Sequence, residues 1–213
     1  MKRKDNGGDC VHAEDQRLKR TKVRRLALVL TTLLCLAPAS VFSGDWSPAK
    51  ITDWPGFLLG MAGGVTAHEL GHVLVARTEG YSIHHDGVSI TYSPDFRSRA
   101  DHLRIASAGF QGQWLAAETA FAAGNKNNNL AAGIICGHLA TSFAYLVVLK
   151  DHPRGDTVGM AAATGLTVNQ VAALLALPAA LDAWRLFGHD VPGWVPGLSL
   201  AIKGSGIAAV WMF

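Results

Sequence analysis

Long apolar runs separated by short polar stretches organise this 213-residue chain, and their lengths set its class. The runs cover about Leu26–Phe42, Pro55–Ala76, His102–Ala123, Leu130–Leu149, Val158–Leu181 and Val191–Phe213. Each is near the roughly 20 residues that carry a helix across a bilayer, about twice the length of a membrane β-strand. Lipid offers no partner to a backbone N–H or C=O, so spans of this length are helical. The pattern predicts an all-α polytopic membrane protein of five to six transmembrane helices, with residues 44–213 forming a single membrane-embedded domain. One interval breaks the pattern. Tyr81-Ser82-Ile83 and Val88-Ser89-Ile90-Thr91-Tyr92 alternate apolar and polar around Asp86-Gly87, a pair suited to a two-residue type I′ turn, which predicts a short β-hairpin.

Composition agrees with this class: 16% of residues are charged and 49% hydrophobic, too apolar for an ordinary soluble domain. Residues 1–25 hold nine Lys/Arg against four acids and read as a basic, disordered, cytoplasmic tail. Placed directly before an apolar run, that charge sets orientation rather than binding nucleic acid. Residues 26–43 read as a signal anchor or a signal peptide, with Pro38 in the run and small residues near Ser40 and Ser43. With the N-terminus inside, fifteen Lys/Arg fall on the cytoplasmic side against Lys50, Lys126 and Arg185 outside, in keeping with the positive-inside rule. Lys203 lies within the last run and is left out of this count. The expected location is a bacterial inner (plasma) membrane, with lipid as the surroundings and the end of the second run facing the cytoplasm. Cys10, Cys35 and Cys136 form no paired framework, so neither a disulfide nor a thiolate metal site is expected.

Within the second run stands His68-Glu69-Leu70-Gly71-His72. Histidines four residues apart on a helix share a face, so both imidazoles can ligate one zinc while Glu69 reaches a bound water as general base. Chance supplies such a pattern in about one chain in a hundred of this composition, and ionisable groups inside spans usually serve a function. Zinc hydrolases use three protein ligands and keep a fourth position for water, so a third residue is needed, and two aspartates compete. Asp156 opens the fifth run on the side where His72 emerges, either as the ligand or simply as a helix N-cap. Asp182 follows a proline, but a continuous helix from Val158 at about 1.5 Å per residue carries it roughly 36 Å, to the opposite surface. It becomes the ligand if a miscounted segment between Asp101 and Gly124 reverses the parity. Gln111 and Gln113 either line a water-filled cavity or form ordinary interhelical hydrogen bonds. Glu118 is expected near the outer interface, His138 as an interhelical histidine, and His84-His85 facing water.

HELGH late in a span, then a hairpin, then a small-residue patch (Ser107-Ala108-Gly109-Phe110-Gln111-Gly112-Gln113), resembles the site-2 protease family of intramembrane zinc metallopeptidases, over roughly residues 55–185. The resemblance implies that His68 and His72 bind zinc, that Glu69 is the general base, that an aspartate from a later helix completes the site, and that the substrate is a membrane protein or peptide. Two signatures depart from the family. Its glycine-proline-asparagine stretch aligns with Gly109–Gln113, where Phe110 and a glutamine replace proline and asparagine. Its later Leu-Asp-Gly is approximated by Leu181 and Asp182 after Asn169 and Pro178, but Ala183 replaces the glycine. Two other functions fit the same residues: an inactive membrane scaffold of this fold, and a metal transporter. Against the transporter, the sequence shows neither an inverted repeat nor a chain of ionisable residues threading several spans.

Overall fold

The computed structural model describes residues 46–85, 90–123 and 128–213. The basic tail, the run 26–42 and the turn Asp86-Gly87 lie outside them. Six α-helices and one hairpin follow in order: α1 (Trp54–Thr78), β1 (Ser82–His85), β2 (Ile90–Ser93), α2 (Arg99–Ala123), α3 (Asn129–Phe143), α4 (Asp156–Thr164), α5 (Val168–Phe187) and α6 (Trp194–Met212). A π-helical turn, Ala144–Val148, extends α3. The start of α1 is set locally. Asp53 accepts a hydrogen bond from the Gly56 N–H at 3.0 Å, and Pro55 occupies the first turn, where no amide donor is needed.

Glycines decide how α1 meets its neighbours. Gly60 lies against Gly133 and Gly64 against Gly137, so that α1 and α3 run parallel with their backbones touching. Gly71 meets the Ala108 carbonyl and Gly112 the Ala67 carbonyl, which makes α1 and α2 antiparallel at equally close range. A β-carbon at any of these positions would strike backbone, the usual way small residues bring membrane helices together. The hairpin is fastened to α2 by Tyr81. Its hydroxyl donates to Asp101 (2.8 Å) and accepts from the Arg97 backbone N–H (2.8 Å).

Three expectations are corrected. The hairpin pairs His85 with Ile90 and Ile83 with Tyr92. A two-residue Asp86-Gly87 turn would pair His85 with Val88, so the connection is the longer 86–89. The run Val158–Leu181 is not one helix. α4 ends after nine residues at Gly165, in the left-handed region with φ of 80°, and α5 begins afresh with a Thr167–Gln170 capping box. Finally, among the described residues three helices, not five or six, are long and apolar enough to cross a membrane: Asn129–Val148, Val168–Phe187 and Trp194–Met212. α1 and α2 have the length, 25 residues each. However, α1 is diluted by glycines and the HELGH side chains, and α2 buries Asp101, Arg104, Gln111, Gln113 and Glu118 among other helices.

Candidate metal centre

The helical spacing of HELGH puts His68 and His72 on the same buried face of α1. Opposite them α4 begins. Its N-cap is Gly155, and Asp156, the first helical residue, turns its carboxylate to the histidines rather than to its own helix end. Asp156 Oδ2 lies 2.8 Å from His68 Nε2 and 3.0 Å from His72 Nε2, and the two Nε2 atoms are 3.3 Å apart. Among the described residues this is the one group of three His, Cys or acidic side chains close enough together to hold a metal ion.

What each imidazole does with its other nitrogen identifies the donor set. His72 Nδ1 is 2.8 Å from the Ile105 carbonyl oxygen, which can only accept, so Nδ1 carries the proton and Nε2 keeps a lone pair. His68 Nδ1 is 3.1 Å from Gln113 Oε1, with the same consequence. Two imidazole lone pairs and a carboxylate oxygen thus converge on one point, mutually repulsive unless a cation or a proton lies between them. Histidine ligands of metals are oriented in this way by an acceptor on the distal nitrogen. Space has been kept for the cation as well. Gly109 of α2 faces the pair, and a β-carbon there would stand 2.5 Å from both Nε2 atoms. The residues therefore fit a divalent metal such as zinc, with His68, His72 and Asp156 as ligands. Burial alone would push the Asp156 carboxyl up, but His72 and His68, when protonated on Nε2, more than offset it and hold the group well below the usual carboxylate range.

Three further side chains define the surroundings. Glu69 is exposed, one residue from His68 on α1, and its charge reaches Tyr92 of β2, whose phenol is pushed above its ordinary value first by burial and then by Asp156 and Glu69. Tyr145 stacks on the His68 ring (centroids 5.0 Å apart, 30° between planes). Sequence reasoning passed over Tyr145. It stands among apolar residues at the end of a run, and only the π-helical turn swings it over the site, a distortion common at functional positions. Gly109 was visible merely as part of a small-residue patch.

The two glutamines separate. Gln113 is wholly buried on His68, whereas Gln111 donates to Ser107 (2.8 Å) and accepts from the Trp211 indole (2.9 Å), away from the ligands.

Asp182 is not brought to the histidines. It sits in a second buried cluster with Glu118, Arg185, Ser199, Lys203 and His138, all 7% exposed or less. Ser199 donates to Asp182 Oδ1 at 2.8 Å, Arg185 approaches the same oxygen at 3.2 Å, and Lys203 pairs with both Asp182 and Glu118. Glu118, expected near an interface, is held inside by Arg185 and Lys203. The cluster also supplies what the sequence did not show: polar and ionisable residues connected across several helices. No family model, curated protein or solved structure matches the chain.

Proposed function

We propose that this protein is an intramembrane zinc-dependent peptidase acting on a membrane protein or peptide, with its site toward the cytoplasmic face. The observation that carries the reading is the convergence of His68 Nε2, His72 Nε2 and Asp156 Oδ2 beside an exposed Glu69. When bound, zinc supplies Lewis acidity to a scissile carbonyl and lowers the pKa of a water toward neutrality. Glu69, free of the ligand set yet adjacent to it, takes the proton of the attacking water as the C–O bond forms. It then delivers that proton to the amine nitrogen as the C–N bond breaks. Tyr145 covers one face of His68, which keeps that ligand in place and lipid away from it.

The scaffold reading shares this geometry and differs only in the need for Glu69. The transporter reading gains a connected polar path but meets Arg185 and Lys203 along it, two buried positive charges that oppose the passage of a divalent cation. Elemental analysis of the detergent-purified full chain tests the metal. One zinc per chain is expected in wild type and in Asp182→Ala, and its loss in His68→Ala and Asp156→Ala. Glu69→Gln is expected to keep zinc and to lower peptide cleavage by at least about a hundredfold, the scale of a positioned general base. Unchanged cellular effects in Glu69→Gln would favour the scaffold.

A further inference from the structure

The metal pair and the ionic cluster are joined by a single file of polar atoms crossing four helices. His68 Nδ1 (α1) is 3.1 Å from Gln113 Oε1 (α2), and Gln113 Nε2 is 3.0 Å from Ser142 Oγ (α3). Ser142 Oγ is 3.4 Å from His138 Nδ1 (α3), and His138 Nε2 is 3.1 Å from Asp182 Oδ2 (α5). His68, Gln113, His138 and Asp182 are fully buried and Ser142 is 2% exposed, so no solvent competes for these contacts.

The charge on Asp182 sets the proton positions along this file. Lys203, Arg185 and Ser199 all donate to Asp182, which is therefore an ionised acceptor. The charge of Asp182 Oδ2, 3.1 Å from His138 Nε2 though outside hydrogen-bond geometry, favours the His138 proton on Nε2 and leaves Nδ1 with a lone pair. Ser142 must then give its single hydroxyl proton to His138 and accept from the Gln113 amide. The amide so oriented presents Oε1 to His68, which places the His68 proton on Nδ1 and leaves Nε2 bare toward Asp156. Turned over at Gln113, the file would put a proton on His68 Nε2, where it would block a metal.

We propose that Asp182, through His138, Ser142 and Gln113, acts as a remote positioning device that fixes the His68 tautomer for metal binding. The inference rests on His68 being a zinc ligand, but it does not require that the bound metal hydrolyse anything. Asp182 then has a role at the metal centre without touching it.

The test reads protonation in the metal-free full chain in lipid bilayers, by 15N chemical shifts of labelled histidine assigned with His68→Ala and His138→Ala. Opposite tautomers are expected in wild type, Nδ1–H at His68 and Nε2–H at His138. Ser142→Ala frees the Gln113 amide to turn over. His68 should become a mixture, and zinc affinity measured against a chelator should fall about tenfold to a hundredfold, the range for losing a ligand-orienting partner. Gln113→Glu offers an acceptor in either orientation, so Ser142→Ala combined with Gln113→Glu should restore both readouts. Gln113→Glu against Gln113→Leu repeats the test without altering α3, the first keeping the Nδ1–H form and the second losing it. Nε2–H at His68 in wild type, an unchanged tautomer and affinity in Ser142→Ala, or equal behaviour of the two Gln113 variants would overturn the proposal. Absence of peptide cleavage with these tautomers intact would remove the hydrolase reading alone.

Discussion

The two buried polar centres differ in one respect that separates a site from a structural cluster, namely whether their charges are balanced. Around Asp182, two carboxylates (Asp182 and Glu118) face two cations (Arg185 and Lys203), with Ser199 filling a further acceptor position. The charges sum to zero, although Arg185 Nε and His138 Nε2 find no hydrogen-bond partner among the described residues. Around Asp156, two imidazole lone pairs and one carboxylate oxygen point at each other with no cation among the described side chains between them. The first arrangement holds helices α2, α5 and α6 together. The second is an invitation to a metal, and Gly109 leaves the room for one. Burial of charge therefore does not by itself mark a reactive site, whereas electron-rich groups converging without a counter-charge do.

The contrast breaks most visibly at Lys203. Lys203→Met leaves Glu118 and Asp182 buried with a single cation, and should cost about 3–5 kcal/mol in thermal or denaturant unfolding. Removing Glu118 together with it, as Glu118→Leu and Lys203→Met, leaves the balanced Asp182–Arg185 pair and should recover more than half of that loss, because an intact pair replaced by apolar residues is close to neutral. If the single and double variants unfold alike, the cluster is not a balanced structural unit. At the other centre, Gly109→Ala should keep the fold, since alanine favours the helix by about 1 kcal/mol over glycine. Its methyl would nevertheless occupy the space between the Nε2 atoms, so zinc binding should fall by at least about a hundredfold, some 2.7 kcal/mol. Zinc retained at wild-type affinity would mean that the metal, if any, lies elsewhere. The smallest effect belongs to Tyr145→Phe, which removes a hydroxyl in the electrostatic reach of Asp156 but keeps the ring on His68. About a tenfold weaker zinc affinity is expected, with unfolding unchanged.

Much of this was legible in the chain, and the limits follow from range. HELGH carries its own geometry because i and i+4 side chains on a helix are neighbours whatever the rest of the protein does. Asp156 could be placed beside the histidines by counting helices, since that argument needs only the side on which each run begins. Asp182 was disfavoured as the third ligand, though kept as the alternative, on faulty grounds, a continuous helix of roughly 36 Å that Gly165 in fact interrupts. It is kept from the site instead by its partners on α2, α3 and α6. Lys203, set aside as a charge inside an apolar run, meets Glu118 from a position 85 residues away, and Arg185 does so from 67 away. No pattern along the chain pairs such residues.

Hydropathy and helical periodicity by themselves determined the all-helical, membrane-like class, the existence of a hairpin, and the pair of histidines on one face, because each is governed by neighbours within a few residues. The tertiary structure alone decided where the charges of α2, α5 and α6 cancel, that a π-helical turn brings Tyr145 over His68, and that a file of polar contacts runs from Asp182 to His68. Those features depend on which helix faces meet. The faces meet where glycines let backbones touch, and buried polar atoms then take whichever partners lie within reach.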